Sequence, residues 1–112
     1  MQISVSGRHL NLSQQVQDYA RSKASKLTHF FNKIQTVDVV IAKQGLNYEV
    51  EIIVKPDHRA SFVGRGSGPD VQVCIDLSLD KLGRQLVKHK EKVRNHKHKT
   101  GSAEGLAPPE LL

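Results

Sequence analysis

The hydrophobic pattern at the start of the chain predicts two elements. Ile3 and Val5 alternate with polar residues, and the alternation stops at Gly7, which indicates a short strand followed by a turn. Ser13, a residue type favoured at helix N-caps, precedes apolar positions spaced by three and four residues. These positions are 16, 19, 20, 24, 27, 30 and 31. We therefore expect a first helix over about Ser13–Phe31.

Alternating patterns predict three more strands in the middle of the chain. Val37–Ile41 and Tyr48–Val54 each have apolar residues at every second position, and Gly45–Asn47 connects them as a hairpin. The Pro56–Asp57 pair ends the second of these strands. Arg59–Val63 has two alternate apolar residues and is predicted as a further strand. With the first strand, these segments supply a sheet of four strands.

A second helix is predicted after the glycine-rich segment Gly64–Pro69, which we interpret as a flexible connection. Asp70 suits a helix N-cap, and apolar residues recur behind it at helical spacing as far as about Asn95. They are Val71, Ile75, Leu79, Leu82, Leu86 and Val93. Some 25 residues give a helix about 37 Å long, so its C-terminal turns should project beyond a core this small.

These elements predict one folded domain and a tail. From Thr100 onward, small residues and helix breakers follow without periodicity, so we expect a domain over residues 1–99 and a disordered tail over 100–112. The order β, α, β, β, β, α predicts an α+β fold: a two-layer βαβββα sandwich. Its four-stranded, largely antiparallel sheet should have both helices on one face and a parallel first pair of strands.

Composition restricts the core and the compartment. Only 4% of the 112 residues are aromatic, so the core should be mostly aliphatic. The single cysteine excludes an intramolecular disulfide, and neither a signal-peptide pattern nor an apolar run of about 18 residues occurs. We expect a cytoplasmic protein.

Positive charge is concentrated in the second predicted helix. The chain has 17 Lys and Arg against 11 Asp and Glu, a net charge of +6. The segment Lys81–Lys99 has eight basic residues and one acid, Glu91, a net of +7, so the other residues sum to −1. A molecule polarised in this way attracts polyanions, meaning nucleic acid or an anionic membrane.

The basic residues form a row on the helix. Lys81, Arg84, Lys88 and Lys92 recur at intervals of three, four and four, about 100° from the leucine row. The row is broadened by Lys90, Arg94, Lys97 and Lys99. Like charges at i, i+4 destabilise a helix, and a solvated helix terminus would explain only the last turn, so the row favours binding of a polyanion. Further candidates are Arg8, Lys23 and Lys26.

RNA is favoured over a membrane as the polyanion. The core needs the apolar residues of the second helix, so none are left to insert into a bilayer. The chain also has too few aromatic residues to stack single-stranded bases on an open sheet. Recognition of phosphates and RNA shape by lysines and arginines fits the composition better.

Other patterns are weaker candidates for chemistry. Gly64–Gly68 superficially resembles a phosphate cradle, but its spacing is not GxGxxG and Asp70 places a negative charge where the phosphate would lie. The six histidines lie in different elements or in the basic segment, so we expect no metal and no cofactor. Cys74 is expected to pack in the core. The acids Glu49, Glu51 and Asp57 are expected at a solvated sheet edge and not in a catalytic pair.

Three segments also match a known family. They are Gln2–Arg8, Lys26–Phe31 and the run Asp-Lys-Leu-Gly-Arg-Gln-Leu-Val-Lys-His-Lys-Glu-Lys over Asp80–Lys92, which follows Ile75-Asp76. In these segments the chain resembles the bacterial ribosome hibernation promoting factors, also called ribosome-associated inhibitors or the sigma-54 modulation protein family. The resemblance extends over roughly residues 1–95, and the last run is its most specific part.

The resemblance implies a domain similar in shape to double-stranded RNA-binding domains that binds the decoding region of the small ribosomal subunit. There it would occlude the messenger RNA and transfer RNA sites of idle ribosomes. The family's rRNA-facing residues match Lys81, Arg84, Lys88, Lys90 and Lys92, and more loosely Arg8, Lys23 and Lys26. The chain resembles the short members, which implies a monomer in solution and, in some bacteria, a separate small ribosome modulation factor as a further partner.

Three functions therefore remain open from the sequence. The first is a ribosome-silencing factor that binds rRNA and is not an enzyme. The second is a generic RNA-binding or RNA-chaperone module that uses the same basic row. The third, which the glycine spacing disfavours, is a small phosphate-binding enzyme built on Gly64–Gly68.

Overall fold

A computed structural model of the protein describes residues 1–29, 33–56 and 60–98, with the side chains of the last helix described up to residue 89. Within these residues the chain forms β1 Gln2–Arg8, α1 Gln14–Ala24, β2 Thr36–Gln44, β3 Asn47–Lys55, β4 Phe62–Gly68 and α2 Val71–His98. A short 3₁₀ helix, Ser25–His29, follows α1. The predicted order of strands and helices is confirmed.

The four strands form one sheet in the order β1-β2-β3-β4. β1 is parallel to β2, and the other two pairs are antiparallel. Gln44 pairs with Asn47 across the turn Gly45-Leu46, where Gly45 has φ = 60°, a left-handed conformation that suits glycine. The predicted α+β fold, with its parallel first pair, is confirmed.

One face of the sheet packs against both helices. Val5, Val39, Ile52 and Gly64 form one row across the sheet on this face, and Val39 and Ile52 are fully buried. The buried residues that the helical segments contribute to the same core are Ala20, Ala24, Leu27, Cys74, Ile75, Leu82 and Leu86. The intervening strand residues point to the other side, which we call the open face. The buried core is aliphatic, as the composition predicted.

The first helix begins where the sequence predicted and ends earlier. Ser13 is the N-cap, and its hydroxyl oxygen accepts the Val16 N–H at 3.2 Å. The α-helix ends at Ala24 and not near Phe31, and residues 30–32 lie outside the described part of the chain. The Ser25 hydroxyl donates to the carbonyl oxygen of Ser22 at 2.7 Å, a side-chain bond of the kind that competes with regular helical bonding.

The glycine-rich segment is a strand and not the flexible connection that was predicted. Gly64–Gly68 belongs to β4 and pairs antiparallel with β3, with Gly66 opposite Val50 and Gly68 opposite Tyr48. The predicted strand Arg59–Val63 was therefore placed too early in the chain, and residues 57–59 lie outside the described part.

Close packing against α2 explains the glycines of β4. A Cβ on Gly64 would overlap the carbonyl oxygen of Ser78, and a Cβ on Gly66 would lie 2.6 Å from the carbonyl oxygen of Cys74. Because neither residue has a side chain, the backbone of α2 lies directly on the strand. The Ser78 hydroxyl is buried at this contact and donates within it, 2.8 Å from the Cys74 carbonyl oxygen.

We expect Gly64→Ala to destabilise the protein by about 1–3 kcal/mol, because the added methyl group would also lie 2.9 Å from Leu82 Cγ. In a flexible connection the same change would instead stabilise by about 0.4–1 kcal/mol. Urea denaturation shows whether the substitution raises or lowers the free energy of unfolding. The matched control is Gly45→Asn, in a turn with no other atom near and a backbone conformation that Asn tolerates, which should change stability by less than about 0.5 kcal/mol. A stabilised Gly64→Ala variant would contradict this packing.

The second helix starts at the predicted N-cap and extends slightly further than predicted. The Asp70 carboxylate accepts the backbone N–H of Gln72 at 2.9 Å. Leu86 is the last fully buried side chain among those described on α2, and the helix continues to His98, so its last turns extend beyond the core as expected. Val93 lies on this extension, with its side chain outside the described part. The predicted domain end at residue 99 and the predicted tail over 100–112 also lie outside the described residues. No described helix is long and apolar enough to span a membrane.

Candidate nucleic-acid interface

The exposed side of α2 presents the predicted basic row. Lys81, Arg84 and Lys88 are exposed, whereas Leu82 and Leu86 are fully buried on the side that faces the sheet. Helical spacing therefore separates charge from core, as the sequence predicted. Lys90 and Lys92 follow on the same helix, with their side chains outside the described part of the structure.

The three described cations differ in their contacts. Lys81 Nζ donates a hydrogen bond to the carbonyl oxygen of Arg65 at 2.8 Å. Arg84 pairs with Asp80 one turn earlier at 2.9 Å, but both side chains are mostly exposed, so the pair contributes little and a phosphate can replace the carboxylate. Lys88 makes no hydrogen bond or ion pair with another described residue. All three can therefore offer positive charge to a ligand.

Side chains from the helices also bond to both edges of the sheet. On the β4 edge, Lys81 is joined by Gln85, whose Nε2 donates to the carbonyl oxygen of Val63 at 2.8 Å. On the β1 edge, Arg21 Nη1 donates to the carbonyl oxygen of Ile3 at 2.8 Å. All three bonds engage backbone groups at the sheet edges, and the two bonds on the β4 edge hold the basic row in a defined position relative to that strand.

The other predicted cations, Arg8, Lys23 and Lys26, lie on three different elements. Arg8 is exposed at the end of β1 on the open face, and Lys26 is exposed in the 3₁₀ helix. Lys23 is half-buried on α1, with its Nζ 5.4 Å from the centroid of the Tyr19 ring. The structure therefore does not gather these three residues into a single site.

A hydrogen-bonded pair connects α1 to α2. The Tyr19 hydroxyl lies 2.8 and 2.9 Å from the two carboxylate oxygens of Asp76 and donates to that carboxylate. Burial, and secondarily the hydrogen bond to the Asp76 carboxylate, raises the pKa of Tyr19 above its ordinary value. The shift favours the protonated phenol, which is the form that donates to Asp76, and the pair ties α1 to α2.

Arg65 is a cation that the sequence did not single out. It lies on the open face of β4, where its guanidinium is 2.9 Å from the Glu51 carboxylate of β3. Arg65 is 73% exposed and Glu51 only 29%, so the guanidinium extends further into solvent than its partner. A signal in the sequence could have placed Arg65 on a strand: glycine alternates with larger residues over residues 63–67.

The acidic residues of β3 do not lie at a sheet edge, contrary to the sequence prediction. β3 is an interior strand, between β2 and β4, and Glu49 and Glu51 point to the open face. Edge position depends on which strand pairs with which, and the alternation of Glu and apolar residues shows only which face is solvated.

The open face contains a depression of about 420 Å³ beside the basic row. Its lining includes Arg8 from β1, Glu49 and Glu51 from β3, Arg65 from β4 and Lys81 from α2. Positive charge from three elements therefore meets two carboxylates in one concave surface. The sequence predicted Arg8 and Lys81 as separate candidates and did not predict that they line the same depression.

The remaining candidates have structural explanations. The Gly64–Gly68 backbone is committed to the β3–β4 ladder, so it does not form the loop that a phosphate cradle would need. Cys74 is fully buried, and burial raises the pKa of its thiol. Over the part of the chain that the structure describes, no group of three or more His, Cys, Asp or Glu side chains could hold a metal ion.

Comparison with known proteins identifies similar chains. The family model described as Sigma 54 modulation protein / S30EA ribosomal protein matches residues 3–94. A ribosome hibernation promoting factor from Azotobacter vinelandii is 36% identical over 92 residues, covering 82% of this chain and 85% of that protein. The protein of the same name from Escherichia coli (strain K12) is 27% identical over 96 residues, covering 86% and 100%.

Two solved structures share the fold. A ribosomal subunit interface protein from Coxiella burnetii superposes with a TM-score of 0.74 at 22% identity, over 81% of this chain and 99% of that one. The N-terminal domain of Thermus thermophilus Protein Y gives a TM-score of 0.69 at 24% identity, over 80% and 99%.

Proposed function

Because the chain belongs to the Sigma 54 modulation protein / S30EA ribosomal protein family, we propose that it is a ribosome hibernation factor that binds the small ribosomal subunit and silences idle ribosomes. The observation that carries the proposal is the exposed basic row of α2. Lys81, Arg84 and Lys88 present positive charge on a helix whose other side is fixed in the core. Relatives of similar length are named ribosome hibernation promoting factors.

The rigid attachment of α2 suits recognition of folded RNA. The helix backbone lies on β4 at Gly64 and Gly66, and Lys81 and Gln85 bond to the edge of that strand. Cations held in fixed positions can match the phosphates of a structured RNA without having to order a flexible segment first. We place this surface against rRNA in the decoding region, with Lys90 and Lys92 extending the row and Arg8, Lys23 and Lys26 as additional contacts.

Occupation of the decoding region would exclude messenger RNA and transfer RNA. A domain with a long projecting helix cannot share this space with them, so binding and translation are mutually exclusive in the proposed mechanism. The protein acts by occlusion and requires no chemical step. Its place of action is the cytoplasm, on ribosomes that carry no message, with a separate ribosome modulation factor as a candidate partner.

A translation assay with purified components tests occlusion. Inhibition should be strong when the protein is added to vacant ribosomes and should weaken when initiator transfer RNA and message are bound first. Initiation should be blocked far more than ongoing elongation. Unchanged inhibition on preloaded ribosomes would contradict binding in the decoding region.

The alternative is a generic RNA-binding or RNA-chaperone module, which the same basic row would support. Such a protein would inhibit translation in proportion to the total RNA that it binds. Added duplex RNA and added vacant ribosomes would relieve this inhibition equally well. A hibernation factor should instead be titrated by vacant ribosomes at far lower RNA concentrations. Competition between these two RNAs in the same assay therefore decides between the functions.

Binding to ribosomes should depend steeply on salt. If four or five phosphates are neutralised, the slope of log K against log salt concentration should be about −3 to −4.5, since each contact contributes roughly −0.7 to −0.9. Sedimentation of the protein with vacant ribosomes between low and moderate salt measures this slope. A slope near zero would contradict phosphate binding by the α2 row.

A further inference from the structure

Two neighbouring rows on the open face of the sheet differ in how their charges are paired. In the row Ser6, Val40, Glu51 and Arg65, the guanidinium and carboxylate form an ion pair. In the adjacent row, Arg8, Ala42, Glu49 and Ser67, neither Arg8 nor Glu49 makes a hydrogen bond or ion pair with a described residue. The small side chain of Ala42 lies between them. Two opposite charges therefore line the same depression without neutralising each other.

Lys81 adds an oriented cation on the far side of Glu49. Its ammonium group donates to the Arg65 carbonyl oxygen at 2.8 Å, and two of its three N–H donors remain available for a ligand. Glu49 thus lies between Arg8 on β1 and Lys81 at the β4 edge, and all three line the depression. Its volume of about 420 Å³ is within the range of small-ligand sites.

We propose that this depression binds one ribonucleotide of an RNA chain, with Glu49 accepting a hydrogen bond from the ribose 2′-hydroxyl and Arg8 and Lys81 binding the two flanking phosphates. In an RNA strand each ribose lies between two phosphates. In the depression a carboxylate, which can bind the ribose, likewise lies between two cations, which can bind the phosphates. Carboxylates bind ribose hydroxyls in nucleotide sites, and the 2′-hydroxyl is the group by which a protein distinguishes RNA from DNA. DNA would leave Glu49 beside phosphates without a donor.

The position of Lys81 connects the depression to the basic row. Lys81 is the first residue of the α2 row and also lines the depression, so one RNA strand can contact both. The inference rests on the proposed function only in taking RNA as the ligand. It assigns sugar discrimination to Glu49, whereas the α2 row binds phosphates that RNA and DNA share.

The test compares single-stranded oligouridylate with oligodeoxyuridylate of the same length, which removes differences of base and of duplex shape. Fluorescence anisotropy gives the ratio of the two dissociation constants. Glu49→Ala should reduce the preference for RNA about five- to tenfold, although loss of a negative charge should raise affinity for both strands. The ratio cancels this shared electrostatic effect.

Asp38→Ala is the matched control, because it removes the same charge from the open face outside the depression, where Asp38 accepts a hydrogen bond from Ser4 at 2.7 Å. It should raise affinity for both strands and leave the ratio unchanged. Arg8→Ala should weaken binding of the RNA strand and of the DNA strand by the same factor. An unchanged ratio in Glu49→Ala, or an equal fall in Asp38→Ala, would overturn the assignment.

Uridine monophosphate serves as the probe for a free nucleotide. It should bind far more weakly than the oligonucleotide, because it cannot place phosphates on both Arg8 and Lys81. Equally tight binding would overturn the assignment to an RNA chain. None of these measurements uses ribosomes, so failure of ribosome silencing and failure of ribose recognition are separate results.

Discussion

Reversal of two charges on α2, Lys88→Glu with Lys92→Glu, should lower affinity for vacant ribosomes at least about 100-fold without changing the fold. A hydrogen bond to a charged group contributes about 1.5–3 kcal/mol, so the loss of two such contacts costs at least about 3 kcal/mol of binding free energy. A 100-fold change in affinity corresponds to about 2.7 kcal/mol. Lys88 is exposed and makes no hydrogen bond or ion pair with another described residue, so its replacement should alter stability by less than about 0.5 kcal/mol. Co-sedimentation measures affinity, and thermal unfolding measures stability.

The matched control is Lys43→Glu with Lys55→Glu, which changes net charge by the same amount on exposed residues of β2 and β3. If the position of the charge matters, this variant should retain most of its affinity, with only the modest loss that a lower overall charge produces. Equal losses in both double variants would mean that net charge, and not the α2 row, determines binding.

Truncation of Leu82 to alanine should produce the largest loss of stability, about 2–5 kcal/mol. Leu82 is fully buried on the side of α2 that contacts β4, where its Cγ lies close to Gly64. The backbone contact between α2 and β4 prevents the helix from collapsing into the space that the leucine side chain leaves. The loss corresponds to a fall in Tm of roughly 10 °C or more, measurable by calorimetry.

Val87→Ala is the control for this truncation on the same helix. Val87 is 39% exposed whereas Leu82 is fully buried, so replacement of the smaller Val87 removes less buried surface, and alanine is the better helix former. Its effect should remain below about 1 kcal/mol. If Val87→Ala unfolded the protein while Leu82→Ala left it stable, the assignment of the two faces of α2 would be wrong.

Some parts of the fold follow from local patterns. Alternation in β1, β2 and β3 predicted the buried face of each strand, because a strand with one solvated side needs polar residues at every second position. Ser13 and Asp70 predicted both helix starts, since a side-chain oxygen there satisfies backbone donors that the helix leaves unpaired. These signals depend on neighbours within a few residues, so the sequence alone contains them.

The strand β4 shows why a local pattern can mislead. Glycine is unfavourable in strands, and the three glycines of Gly64–Gly68, followed by a proline, indicated a connection. The structure requires glycine at Gly64 and Gly66 because α2, which follows later in the chain, lies on top of them. Local propensity was overridden by a contact between separate elements.

For the candidate site, the sequence by itself determined the basic row. Spacing along one helix places Lys81, Arg84 and Lys88 on the same side. The same spacing places Leu82 and Leu86 on the side that faces the core. Only the tertiary structure decided that Arg8 and Lys81 line one depression with Glu49. Arg8 and Lys81 lie far apart in the chain, and strand order and the packing of α2 on β4 bring them together. A periodic pattern specifies the face on which a residue lies, whereas contacts between elements depend on how whole faces pack, and no short stretch of sequence contains that information.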